Sequence, residues 1–269
     1  MTTHFSSIAF RISTLLLGLG LLVFSGCSNQ RDSNTLVVGM ELSYPPFEMT
    51  DERNVPTGVS VEIAKALAAD LGKTLKIENI PFAGLIPALR TGKIDLVISS
   101  MTRTEERAQS IDFSDPYLTT GLCVLVSKNA SVATISDLDR EGISIAVKQG
   151  TTGHIYAAEH IQKAKLLLFE KEAAATLEVS QGKADAFIYD QMSTYMNWKR
   201  HSKTTRPLLT PFTKESWAIG LKKGNDELLD EVNRFLADYK ADGGFDRLGD
   251  QFLSEQKQAF EKLGFPFFF

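Results

Sequence analysis

The chain is poor in the residues that most readily declare a chemistry. Two cysteines and four histidines in 269 residues leave little for a disulfide scaffold or a zinc-type ligand cluster. His4, His154, His160 and His201 are scattered, with no H-E-x-x-H pair one helical turn apart. No G-x-S-x-G elbow occurs; GISIA (142–146) comes nearest and reads as part of a strand. Lys and Arg total 29 against 33 Asp and Glu, for a net charge of −4 with no basic block, which argues against a nucleic-acid partner. No cofactor and no metal are expected. Apolar runs are short as well: the longest, ISTLLLGLGLLVFS (12–25), falls below the roughly twenty residues of a spanning helix.

That run suits the core of a secretory leader. It ends in Phe24-Ser25-Gly26-Cys27, small residues before a cysteine, similar to the pattern at which bacterial lipoproteins are cleaved and acylated. Residues 1–26 are therefore expected to be a signal peptide, Cys27 the lipidation site, and 27–34 a polar tether. Removing 1–26 from 269 leaves 243 residues, enough for two lobes of ordinary size. The second cysteine, Cys123, lies in the apolar stretch GLCVLVS and reads as a small buried hydrophobe.

A phrase is written twice. RTGKIDLVISS (90–100) returns as SQGKADAFIYD (180–190), with Gly, Lys, Asp and Ile in matching places. Each copy follows a helical stretch, PFAGLIPALR or KEAAATLEVS, and turns at a Gly able to take the left-handed position beyond a helix end. A short apolar run follows, as in a strand covered on both faces of a parallel sheet. Further units alternate in the same way: strand 35–40, helix 59–72, strand KTLKIEN, strand 143–148 and helix 151–164. The fold class is α/β, two lobes with mostly parallel sheets. DFSDPYLTTG is the candidate crossover between lobes, and SWAIGLKKGN returns the chain to the first.

In open α/β sheets ligands bind beyond the carboxyl ends of the strands. Strand 35–40 delivers Glu41, then a turn with Tyr44. Strand 94–98 delivers Ser99, Ser100 and Thr102; strand 143–148 delivers Gly150, Thr151 and Thr152; strand 185–188 delivers Tyr189 and Asp190. The turn before the helix 151–164 offers free N–H groups to an anion. Ser100 and Thr102 add hydroxyls, and MTRTEER adds Arg103 and Arg107, either able to grip a carboxylate by two parallel hydrogen bonds. Asp190 and Glu41 suit ammonium groups, while Tyr44 and Phe82 are aromatic plates. Together these describe a receptor for a zwitterion, an α-amino acid. Each residue also has a plainer use: Asp190 and Thr152 as helix caps, Phe82 as a staple, Arg107 on a solvated helix face.

From about residue 35 to 255 the chain resembles the bacterial family 3 extracellular solute-binding proteins, amino-acid receptors of ABC importers. The matching stretches are YPPFE (44–48), FAGLIPALRTGKIDLVIS (82–99), MTRTEER (101–107), IDFSDPY (111–117), AVKQGTTG (146–153) and KADAFIYD (183–190). The resemblance implies a two-lobed flytrap, a periplasmic-binding-protein fold whose mostly parallel sheets are joined by hinge strands. On it, lobe 1 comprises 35–117 plus 218–262, lobe 2 comprises 122–212, and the hinge 118–121 and 213–217. It implies that Arg107 clamps the α-carboxylate with Ser100, Thr102 and Thr152. Asp190 receives the α-ammonium with backbone help at Ser99 or Ser100. Tyr44 and Phe82 sandwich the side chain, and Glu41 and Lys148 lie where selectivity is set. An acid at position 41 favours a polar or basic amino acid.

The partners so implied are a free amino acid, a membrane permease and, through the lipid anchor, the membrane of the cell envelope; the protein is expected to be a monomer and not an enzyme. Two rivals stand beside this reading. Cyclohexadienyl dehydratases resemble the same fold and would use Glu41 or Asp190 as an acid, and a ligand-sensing module would need a signalling partner on another chain.

Overall fold

The computed structural model describes residues 34–267. The leader, Cys27, the tether up to Ser33 and the last two phenylalanines lie outside the described residues. Two five-stranded sheets form the frame, alike in the order of their three parallel strands. The first runs Thr74–Asn79, Thr35–Met40, Leu96–Val97, Gly220–Leu221, Asp112–Phe113. The second runs Lys165–Phe169, Ser144–Lys148, Ala186–Asp190, Leu122–Ser127, Thr205–Leu208. In each the first three strands pair in parallel, and the fourth runs against its neighbours. Mostly parallel sheets, as the unalternated apolar runs predict, are thus found twice.

The repeated phrase performs one structural job in both places. Gly92 and Gly182 take φ of 73° and 72° beyond their helices, Phe82–Arg90 and Glu172–Ser180. A Cβ is disfavoured in that left-handed region. Asp95 then accepts a hydrogen bond from Val37 N at 2.8 Å, and Asp185 accepts one from Ser144 N at 2.8 Å. In each sheet the repeated aspartate fastens the central strand to the start of the one beside it.

Both faces of each sheet are covered. In the first, Val38 and Met40 enter one apolar cluster and Val37 another; in the second, Phe187 and Tyr189 face one way and Ala186 and Ile188 the other. Each fully buried Val, Leu or Phe contributes about 1.5–3 kcal/mol by leaving water, so the sheets are fixed by packing on both sides. Two antiparallel strands, Leu118–Thr120 and Glu215–Trp217, pair with each other outside the main sheets. They lie at the points where the chain leaves the first sheet for the second and returns, so the crossover read from DFSDPYLTTG is a strand of this pair.

The helix expected over 151–164 is shorter, Thr152–His160. Asp139 Oδ1 accepts from both Gln162 N (2.8 Å) and Lys163 N (2.7 Å), drawing the chain out of helical geometry. After the amphipathic helix Asp226–Ala241, two further helices, Gly244–Phe252 and Ser254–Lys262, lead to the described part of the Phe-rich tail.

Candidate functional site

The carboxyl ends of the strands converge on a narrow cavity of about 30 Å³, room for little more than a water molecule while the side chains hold one another. Glu41, Tyr44, Phe82, Ser99, Ser100, Thr102, Arg107, Lys148, Thr152 and Asp190, the ten residues singled out in the sequence, all line it. Thr102, Phe82 and Arg107 come from the first sheet's connections, Lys148, Thr152 and Asp190 from the second's.

Arg107 is 7% exposed, not on a solvated face. Thr104 caps its short helix, Glu105–Ala108, accepting from Arg107 N at 3.1 Å, which turns the side chain inward. The guanidinium donates to Thr102 O at 2.6 Å and to Gly150 O at 2.9 Å. It lies 5.5 Å from the Phe82 ring centre, as does Lys148 Nζ. Phe82 is therefore a platform for two cations as well as the first residue of its helix. Burial pulls the Arg107 pKa below the ordinary guanidinium value, opposed by the nearby carboxylate of Glu215.

Thr151, not Thr152, caps the helix Thr152–His160: its hydroxyl accepts from His154 N at 3.3 Å. The Thr152 hydroxyl thereby faces the cavity, where it donates to Glu215 Oε2. Gly150, at φ 77°, and Gly153 shape this turn. A Cβ on Gly153 would stand 2.5 Å from Ile188 O, so only glycine lets the helix start lie against that strand.

Asp190 serves two uses at once. Its Oδ1 accepts from Ser193 N at 3.0 Å as a helix cap and from the Tyr44 hydroxyl at 2.7 Å. Burial pushes its pKa up to about 7, with those two donors working the other way. Tyr44 is not a bare plate: its ring stacks on Phe47 (5.3 Å) and meets Trp217 edge-on (6.1 Å), while its hydroxyl reaches across to the second sheet.

Glu41 and Lys148 form a buried ion pair, Nζ to Oε2, with side chains 10% and 2% exposed. Each neutralises the other, so Glu41 on its own is not an unpaired acid awaiting a cationic side chain. Ser99 and Ser100 face Glu48, a residue singled out by no sequence argument although it ends YPPFE. Ser99 Oγ accepts from Glu41 N at 3.0 Å and donates to Glu48 Oε1 at 3.3 Å; Ser100 Oγ donates to Glu48 Oε2 at 3.0 Å, and Ser60 Oγ to the same oxygen at 2.7 Å. Ser100 adopts φ 49°, the kind of costly backbone that gathers at binding sites. Burial pushes the Glu48 pKa up to about 8 despite the three hydroxyls and the Lys148 charge.

Two further residues escaped the sequence reading. Trp217 packs edge-on against Phe47 at 4.9 Å. Glu215, on the same strand, accepts at Oε2 from Thr102 Oγ1 (3.0 Å) and Thr152 Oγ1 (3.1 Å). Burial raises its pKa, against the pull of those hydroxyls and of Arg107. Among the described residues no helix is long and apolar enough to cross a membrane. No group of His, Cys, Asp and Glu among them is arranged to hold a metal ion. Cys123 is buried, and burial pushes its thiol pKa up.

Two α/β sheets alike in their parallel strands, with a small polar cavity built from the strand ends of both, define a two-lobed receptor for a small solute. The model of the bacterial extracellular solute-binding proteins, family 3, matches residues 36–255, and the chain belongs to that family. It is 28% identical over 244 residues to the L-cystine-binding protein of Escherichia coli, covering 89% of this chain and 91% of the relative. Among solved structures, an ancestral amino acid-binding protein described as a precursor of cyclohexadienyl dehydratase matches with a TM-score of 0.75 and 38% identity. That match covers 81% of this chain and 95% of the other. An ancestral arginine-binding protein bound to arginine matches with a TM-score of 0.77 and 33% identity, over 82% and 98%.

Proposed function

We propose that the protein is the substrate-binding component of an ABC importer and captures an L-amino acid with a polar or basic side chain. The observation that carries this reading is the pairing, in one cavity, of donors for a carboxylate with a receptor for an ammonium. Arg107, Thr102 and Thr152 supply the first; Asp190, held by Tyr44 and the Ser193 amide, supplies the second. The α-carboxylate would lie against Arg107 and the two threonine hydroxyls, and the α-ammonium against Asp190 with the backbone at Ser99 or Ser100. Phe82 and Tyr44 would flank the side chain. With Glu48 protonated at neutral pH, three carboxyl groups (Glu41, Asp190, Glu215) face two cations (Arg107, Lys148), a balance that favours a ligand bearing an extra positive charge. Here the whole site supplies that preference, since Glu41 is paired with Lys148.

Residues 35–117 with 218–262 form lobe 1 and 122–212 lobe 2, joined at 118–121 and 213–217 and closing on the ligand by hinge motion; the paired strands Leu118–Thr120 and Glu215–Trp217 support this division. The loaded form would dock on the permease, from a monomer tethered to the cell envelope through lipidated Cys27 after removal of 1–26. The similarity to arginine-, cystine- and glutamine-binding proteins supports transport over catalysis. A thermal-shift panel on refolded, ligand-stripped protein, covering the twenty L-amino acids and prephenate, tests the reading. Stabilisation by one or a few basic or polar amino acids is expected. A response to prephenate alone, with turnover, would replace the receptor by a dehydratase.

A further inference from the structure

Glu215 adds charge to that ligand scheme but contacts no part of the ligand in it, although it lines the cavity. It projects from one of the two strands that run between the sheets, and a single oxygen, Oε2, accepts from Thr102 and Thr152 together. Thr102 follows the central strand of the first sheet, and Thr152 opens the helix after Ser144–Lys148 of the second. One carboxylate oxygen thus joins the two lobes, beside the Tyr44–Asp190, Arg107–Gly150 and Glu41–Lys148 contacts that also cross between them. The donors it uses are the hydroxyls assigned above to the ligand's α-carboxylate, beside the same guanidinium. A hydroxyl carries one proton and can donate one hydrogen bond, and two carboxylates so placed repel each other. Glu215 and a ligand carboxylate cannot both hold these groups.

A place for the displaced side chain exists. On its other side Glu215 borders a second, open depression lined by Arg103, Thr104, Glu105, Lys214 and Ser216, of which Arg103 and Lys214 are exposed cations. A rotated Glu215 carboxylate would exchange Thr102 and Thr152 for that basic rim, and Arg103 gains a use that its sequence position did not disclose.

We propose that Glu215 is a tethered competitor: its carboxylate latches the two lobes through Thr102 and Thr152, and leaves for the Arg103–Lys214 rim when an amino acid enters. This rests on the proposed assignment of Arg107, Thr102 and Thr152 to the ligand carboxylate. The latch lowers the affinity for every amino acid by the fraction of molecules in which it is engaged. Removing a latched state that makes up nine-tenths of the ligand-stripped population would tighten binding about tenfold. Ligands with a second carboxylate suffer most, because the displaced Glu215 stays close by, whereas a cationic side chain gains from it.

The test compares wild type, Glu215→Ala and Glu215→Gln, each refolded to remove ligand and checked by circular dichroism. Spin labels on Glu52→Cys and Glu170→Cys, exposed positions in the two lobes, report lobe separation without any ligand, and calorimetry gives the Kd for arginine, glutamine and glutamate. The latch predicts longer and broader label distances in Glu215→Ala, about tenfold tighter binding, and an intermediate shift in Glu215→Gln, which keeps an acceptor oxygen but no charge. Label distances identical in all three proteins overturn the latch, as does weaker amino-acid binding by Glu215→Ala, which would make Glu215 a ligand contact. If no amino acid binds any of the three proteins, the transport reading fails while the label distances still decide the latch.

Discussion

Glu48 offers the sharpest test of the electrostatics beneath the site. Its carboxyl is buried, ringed by the hydroxyls of Ser60, Ser99 and Ser100, and burial lifts its pKa from 4.5 to about 8. Because the folded value is the higher one, the folded protein keeps a proton that the unfolded chain has released. Stability is therefore fullest below about pH 4.5 and is lost as pH rises from there to about 8. At about 1.4 kcal/mol per pH unit, the loss accumulates to roughly 5 kcal/mol, which for a chain of this size lowers Tm by on the order of 10 °C. Glu48→Gln mimics the protonated carboxyl and cannot ionise. Differential scanning calorimetry of both proteins from pH 5 to 9 should show wild type falling steeply relative to the variant and the variant the more stable at pH 9. The subtraction removes the contributions of Asp190, Glu172 and Glu215, whose pKa values burial also raises. Parallel Tm profiles for the two proteins would refute the reasoning.

Two further outcomes follow from the geometry. Asp190 must be ionised to receive an ammonium, so with its pKa near 7 amino-acid affinity should rise as pH climbs from 5.5 to 8. Asp190→Asn should bind at least about thirtyfold more weakly and lose that pH dependence, both measured by isothermal titration. Gly153→Ala forces a Cβ against Ile188 O and should cost about 1–3 kcal/mol in chemical denaturation, with weaker ligand binding as the Thr152 turn shifts.

Much of the frame was legible because it is local. The glycines at 92 and 182 follow from helix-ending chemistry and the apolar runs from sheets covered on both faces; the strand-end rule pointed to Glu41, Tyr44, Ser99, Ser100, Thr102, Thr152 and Asp190, whereas Lys148 and the choice of Arg107 over Arg103 came from the family resemblance. What escaped was set by partners far along the chain. Glu41 meets Lys148 across 107 residues, and Thr102 meets Glu215 across 113; no spacing announces either. Glu215 lies in a stretch that reads only as a returning strand, and Glu48 in a turn whose prolines and aromatics draw the eye first. Thr151 and Thr152 are adjacent and chemically alike, so only the built helix shows which caps and which faces the cavity. The early end of that helix is imposed by Asp139, over twenty residues upstream.

The central claim is that Arg107 clamps the carboxylate of an amino acid held between the lobes. Its most direct test is calorimetric titration of wild type and Arg107→Ala with the amino acid that stabilises wild type most. The account predicts a loss of about 2–5 kcal/mol, or thirtyfold to several thousandfold in Kd, with the refolded variant keeping its secondary structure. Binding by Arg107→Ala within threefold of wild type would contradict it.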